Sequence, residues 1–296
     1  MSRNDQTATL RLLSQGSVVS LDPPHTRAVA VTGGKGGVGK STVALNLSVA
    51  YARRGARTLM LDSDLGLADL NLLLGLAPSR SLLDVLQGHP IREVLVEAHG
   101  ITLLPALNGS YTLANIDERA RQRLFDAIES LGDDFDTLVV DTAAGISENA
   151  VAFAGAAGEI VVCTTPEPLA LADAYACVKA LATRHGVQRA FLLPNAVRSP
   201  SEADDVVGRL SALVDRFLGV ALTPLPPIPF DPMVAVAAAA GVPLLLHSPD
   251  SPASRAVLRV ARRIDSLAQH DDEEDGQRVR LWLRRVLRSQ IKGAMP

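Results

Sequence analysis

The stretch Gly34-Lys35-Gly36-Gly37-Val38-Gly39-Lys40-Ser41-Thr42 fits the spacing Gly-x-x-x-x-Gly-Lys-Ser/Thr and carries a second lysine, Lys35, directly after its first glycine. The apolar run Ala28-Val29-Ala30-Val31 precedes it. From Ser41 to Arg54 the apolar residues Val43, Leu47, Ala50 and Tyr51 follow at near-helical spacing. Strand, glycine-rich loop and helix, in that order, are the context in which this spacing reads as a phosphate cradle. Glycines at 34, 36, 37 and 39 allow positive φ, so the loop's N–H groups can turn inward onto an anion. The positive end of a helix beginning near Lys40 adds to the attraction. Lys40 then reaches the β- and γ-phosphates of a nucleoside triphosphate, and the Ser41 hydroxyl faces Mg²⁺. The spacing therefore predicts a nucleoside triphosphatase.

Outward from the loop, strands are expected at Ala56 to Leu61, Ile101 to Pro105, Thr137 to Thr142, Ile160 to Thr165 and Ala190 to Pro194. Helical patterns such as Asp117 to Leu131 and Leu169 to His185 lie between them. Strands alternating with amphipathic helices predict an α/β fold, a mostly parallel twisted sheet covered by helices on both faces. Ligands bind such sheets at the carboxyl ends of the strands. Three carboxylates stand at those ends: Asp62 and Asp64 after the second strand, and Asp141 after Leu138-Val139-Val140.

A chain of 296 residues with a formal net charge of −3 is long enough for a large core and is not, as a whole, a strongly basic nucleic-acid binder. Its two cysteines, Cys163 and Cys177, fall in a strand-like run and on a helical pattern, which suits buried packing residues in a reducing cytosol. No apolar run approaches the roughly 20 residues of a membrane span, and the polar start Met1 to Thr9 lacks a signal-peptide core. The expectation is a soluble or peripheral cytoplasmic protein.

With Lys35 the loop resembles that of the deviant Walker-A ATPases, whose members include the Min and Par spatial regulators and the nitrogenase iron protein. Lys35 is expected to leave the loop where its own subunit offers no obvious partner. The resemblance implies that it contacts the phosphates of a second copy across an ATP sandwich homodimer. Such a cation supplied in trans is worth about 10³ to 10⁵ in rate in well-studied systems. Asp141-Thr142-Ala143-Ala144-Gly145 resembles the Walker-B segment and switch II of that family. By the same resemblance Ser41, Asp62 and Asp141 hold Mg²⁺, and Asp64 orients or deprotonates the attacking water. Asn195 takes the adenine, and Pro227-Ile228-Pro229-Phe230-Asp231 covers it.

Within that family the chain resembles the flagellar-number regulators FlhG, also called FleN or YlxH. Asp5-Gln6-Thr7-Ala8-Thr9-Leu10-Arg11 resembles their N-terminal motif, with Thr7 where the motif has alanine. The likeness continues through Asp64 to Gly75, Thr164 to Pro168 and Ser251 to Ala256, with Asp69 where relatives show asparagine. It implies that residues 1–25, through Asp5, Gln6, Leu10 and Arg11, engage the signal-recognition-type GTPase FlhF. A flagellar transcription regulator or a C-ring protein is a further implied partner.

Residues 26–269 form the expected ATPase domain and 270–276 an acidic link. Over 277–296, Val279, Trp282, Leu283, Val286, Leu287 and Ile291 share one helical face at 100° per residue, while arginines cover the other. That pattern predicts a helix lying in a membrane interface and reading anionic inner-membrane lipid, each basic residue contributing about 1 kcal/mol. The same helix docked on the protein's own surface is the alternative. The whole reads as an ATPase that dimerises with ATP, docks at the inner face of the cell membrane, at a pole as the resemblance implies, and regulates flagellar number and placement. A Min-type division-site regulator and a Par-type DNA-partition ATPase share the chemistry. An iron–sulfur carrier fits poorly because the cysteines are not paired.

Overall fold

The computed structural model describes residues 27–63, 69–105, 123, 126–127, 130–131 and 134–268. In chain order its elements are β1 (Arg27–Thr32), α1 (Lys40–Ala52), β2 (Thr58–Asp62), α2 (Asp69–Leu73), α3 (Leu82–Leu86), β3 (Val96–Ala98), β4 (Ile101–Leu104) and β5 (Thr137–Asp141). Then follow α4 (Glu148–Gly155), β6 (Glu159–Thr164), α5 (Pro168–His185), β7 (Arg189–Pro194), α6 (Pro200–Leu218), β8 (Ala221–Pro224), α7 (Met233–Ala239), α8 (Leu244–His247) and α9 (Pro252–Ala268).

Among the described residues the strands form one eight-stranded sheet in the order β3-β4-β2-β5-β1-β6-β7-β8. All neighbours are parallel except β3, which runs antiparallel to β4. The inner strands are apolar without interruption because both of their faces are covered. In β1, Ala28 and Ala30 point into one core with Leu138, Val140, Ile160 and Val162, beneath α4, α5 and α6. Val29 and Val31 point into the other with Met60, Val139 and Val161, beneath α1, α8 and α9. Each fully buried Val or Leu contributes about 1.5–3 kcal/mol, so a one-residue slip of β1 would exchange its alanines and valines between two differently shaped cores.

The expected inner strands are present to within two residues at each end. Edge strands β3 and β8, three and four residues long and only partly buried, carry no apolar run and go unread in the sequence. The amphipathic helix α6 also goes unread, although its signals are explicit: Ser199 caps it, Pro200 opens it and Gly219 closes it at φ 61°. Of the helix expected over 117–131, residues 123, 126 and 127 are helical and most of the rest lies outside the described residues. Asp64, residues 1–25 with Asp5, Gln6, Leu10 and Arg11, the acidic link, and the tail with Val279, Trp282, Leu283, Val286, Leu287 and Ile291 also lie outside them. Among the described residues no helix is long and apolar enough to cross a membrane.

Candidate nucleotide site

The glycine-rich loop leaves the carboxyl end of β1 and enters α1 at Lys40. Gly39, just before the helix, takes left-handed backbone at φ 92°, and a Cβ there would stand 2.3 Å from Asn195 Nδ2. Gly34 is needed for space instead, since its Cβ would lie 1.9 Å from the Asp173 carbonyl oxygen of α5. The loop therefore rests directly on the backbone of a neighbouring helix. Lys40 is 6% exposed, and its Nζ folds inward to donate to the Lys35 carbonyl at 3.1 Å. No acid occupies the first turn of α1, which leaves the positive helix end to an anion.

Asp62 closes β2 and Asp141 closes β5, and the two are register partners, each 3% exposed. Val31 of β1 pairs with Asp141 on the other side. The loop and both carboxylates thus grow from the same ends of three adjacent strands. Those ends are pinned: Thr142 donates to the Val31 carbonyl through both N and Oγ1 at 3.1 Å, and Ser63 donates to the Asp141 carbonyl through N at 3.0 Å and Oγ at 2.8 Å. Like charges on neighbouring strands disfavour folding, so the pair makes physical sense as a cation site. Carboxylate and hydroxyl oxygens are hard donors that suit Mg²⁺. Among the described residues no three His, Cys, Asp or Glu side chains gather as a metal cage. Mg²⁺ needs none, because it is held through one or two carboxylates, substrate phosphates and water. Ser41, second in α1, is a further hydroxyl oxygen at the end of the same loop.

Beyond β7, Asn195 donates from Nδ2 to the Val38 carbonyl at 2.8 Å and from its backbone N to the Thr164 carbonyl at 2.8 Å. Ala196 beyond it sits at φ 55°, a conformation that costs a non-glycine residue about 1–3 kcal/mol and concentrates at functional sites. The chain then zips onto the segment around Pro229. Val197 N donates to Ile228, Phe230 N to Val197 and Ile228 N to Pro194, at 3.2, 2.8 and 3.0 Å. Asp231 anchors the far end by accepting from Met233 N and Ala253 N at 3.0 and 3.1 Å. Burial would raise the Asp231 carboxyl, but those N–H groups hold it below the usual carboxylate range. The fold thus brings Asn195 and Pro229 together beside the phosphate loop.

Lys35 overturns one expectation: it has a partner in its own subunit. Its Nζ donates to Glu167 Oε2 at 2.5 Å. Glu167 stands just before α5, and this hydrogen bond with its charge holds the carboxyl below its ordinary range. The residue was visible in the sequence only as part of Thr164 to Pro168. The missing signal was that β6 lies next to β1, which puts the loops following both strands side by side.

Residues 25–265 match the family described as ParA: NUBPL iron-transfer P-loop NTPase. The chain belongs to the ParA/MinD family of P-loop NTPases. It is 40% identical over 242 residues to the antiactivator FleN of Pseudomonas aeruginosa, covering 81% of this chain and 86% of that protein. To the flagellum site-determining protein YlxH of Helicobacter pylori it is 35% identical over 188 residues, 63% of each chain. The fold is similar, at TM-score 0.64 and 26% identity, to the septum site-determining protein MinD of Pyrococcus horikoshii complexed with Mg-ADP, covering 82% of this chain and 97% of that one. Both cysteines are buried, and burial pushes the Cys163 thiol up to about 12, so neither offers the exposed thiolate that iron binding by cysteine would use.

Proposed function

We propose that this ParA/MinD-family protein is a Mg-ATP hydrolase that pairs with a second copy when ATP is bound and, in that state, regulates flagellar number and placement at the membrane. The observation that carries the chemistry is the convergence of Lys40, Ser41, Asp62 and Asp141 at one end of three adjacent strands. FleN and YlxH, related over much of the chain, support the flagellar role by what their names say of them.

In this reading the N–H groups from Gly34 to Thr42 cradle the phosphates, and Lys40 exchanges the Lys35 carbonyl for phosphate oxygen. Asn195 and Pro229 border the adenine. Mg²⁺ held by Ser41, Asp62 and Asp141 would offset charge on the phosphates as the bond to the leaving group breaks. Asp64 orients or deprotonates the attacking water, and Lys35 crosses to the other copy's triphosphate. Hydrolysis returns the protein to a single chain. Residues 1–25 engage an FlhF-type GTPase, with a flagellar transcription regulator or C-ring protein as a further partner. The tail over 277–296 lies in anionic lipid at the inner face of the membrane, and pairing doubles that attachment.

The test is sedimentation with anionic liposomes. The full chain should pellet with ATP and remain in solution with ADP, and a chain ending at Gln269 should remain in solution with both. Asp64→Ala should pellet and stay pelleted. Equal recovery with ATP and ADP refutes nucleotide control, and lipid binding by the shortened chain refutes the tail's role. Similarity to a MinD over nearly that whole chain favours a division-site regulator as the second reading. Binding of an FlhF-type GTPase to residues 1–20 separates the two. Salt-sensitive binding to DNA, with indifference to lipid, would instead favour a partition ATPase.

A further inference from the structure

We propose that Glu167 is a positioning residue that holds Lys35 within its own subunit until the triphosphate of a second copy takes its place. The proposal rests on the reading that Lys35 acts across a dimer. The 2.5 Å contact between Lys35 Nζ and Glu167 Oε2 occupies the cation that this reading requires to leave. The backbone around it is held from two directions: Gly34 is pressed against the Asp173 backbone, and the Lys35 carbonyl accepts from Lys40 Nζ. Movement of Lys35 is therefore confined largely to its own side chain. The two lysines are also linked, because Lys40 must release the Lys35 carbonyl to reach a phosphate in its own subunit.

The competition between the two partners is one-sided in charge. Glu167 offers a single negative charge at a site where its side chain is 65% exposed and that of Lys35 is 34% exposed. Solvent and salt weaken such a pair. A bound triphosphate offers several charges, and a dimer interface would exclude water from them. Glu167 therefore wins only while no second copy is present. Leu169, two residues along, and Ile146, in the loop after β5, are exposed apolar side chains, 70% and 43% open to solvent, that a second copy docked at this end would cover.

The experiment measures ATP turnover per chain against protein concentration, for the full-length protein and for Glu167→Gln. Exposed pairs shift an equilibrium by up to about fivefold and a dimer releases two, so the half-maximal concentration of Glu167→Gln should be roughly 2- to 20-fold lower in low salt. The gap should shrink at about 0.5 M salt. An unchanged midpoint overturns the proposal, since Glu167 then does not compete. A raised midpoint or lost turnover also overturns it, because Glu167 would then support the dimer or the reaction. If turnover per chain is independent of concentration in the parent protein as well, the dimer reading itself has failed. Glu167→Gln replaces one exposed polar group with another and should melt within about 2 °C of the parent, so misfolding would not mimic the result.

Discussion

The two ends of the sheet use charge in opposite ways. At the amino-terminal ends of the strands, Arg27 and Arg54 both bind Asp265 of α9, Arg27 lies over the Tyr51 ring at 3.9 Å, and Arg57 forks onto Asp136 with a closest contact of 2.6 Å. At the carboxyl-terminal ends, Asp62 and Asp141 stand side by side in register, and a buried lysine is folded back onto a loop carbonyl. Apart from the exposed Lys35–Glu167 pair, opposite charges meet at the base and like charges meet at the top. The base is arranged for cohesion, because a buried arginine is tolerated only with its acid. The top gathers charge that a bound metal nucleotide would relieve, a pattern typical of functional sites.

Substitutions at each end should separate stability from activity, and the largest effect belongs to the top. Lys40→Ala removes a positioned cation and should lower turnover by about 10²–10³-fold, measured with Mg-ATP at saturation, while the chain stays folded. Unfolding of that variant at room temperature would show that Lys40 serves the core. At the base, Asp265→Ala removes the acid that Arg27 and Arg54 share, leaving the buried Arg27 only Glu159 and the Tyr51 ring, and should cost about 3 kcal/mol in denaturant unfolding, with turnover at low temperature retained. A large fall in turnover with intact stability would erase the division between the two ends.

Smaller changes sharpen the contrast. Asp62→Asn keeps the shape of the side chain but removes one of two adjacent charges, so turnover should drop about tenfold or more while the melting temperature holds level or rises. A clear loss of stability would place Asp62 with the base rather than the top. Asp136→Asn should cost only about 0.5–1 kcal/mol at pH 7, as exposed pairs do. The hydrogen bond from Arg57 holds the Asp136 carboxyl below the usual range. The contribution of that pair is therefore complete above the unfolded pKa of about 4 and disappears as pH falls through the lower folded value. Parent and variant stabilities should converge as pH falls below the unfolded carboxylate value, and a gap that stays constant through that fall would assign the stabilisation to another cause.

The inner sheet was legible because its apolar runs are local and unbroken, and the phosphate loop because its spacing is itself a geometric instruction. Asp62 and Asp141 were legible because each ends such a run. Edge strands β3 and β8 were not, since a strand covered on one side and only a few residues long carries too little pattern. Glu167 lies inside the stretch Thr164 to Pro168, where nothing local marks it as a partner of Lys35. Nothing near either residue in the chain announces the other.

From the sequence alone came the phosphate cradle, the alternation of strand and helix, and the acids at the strand ends. All of these depend on neighbours a few positions apart. Tertiary structure alone decided that Lys35 meets Glu167 across 132 positions, that Asn195 holds Val38 across 157, and that Arg27 meets Asp265 across 238. The physical reason is strand order: laying β6 beside β1, β7 beside β6 and α9 over α1 creates these contacts, and no spacing within the chain encodes which strands become adjacent.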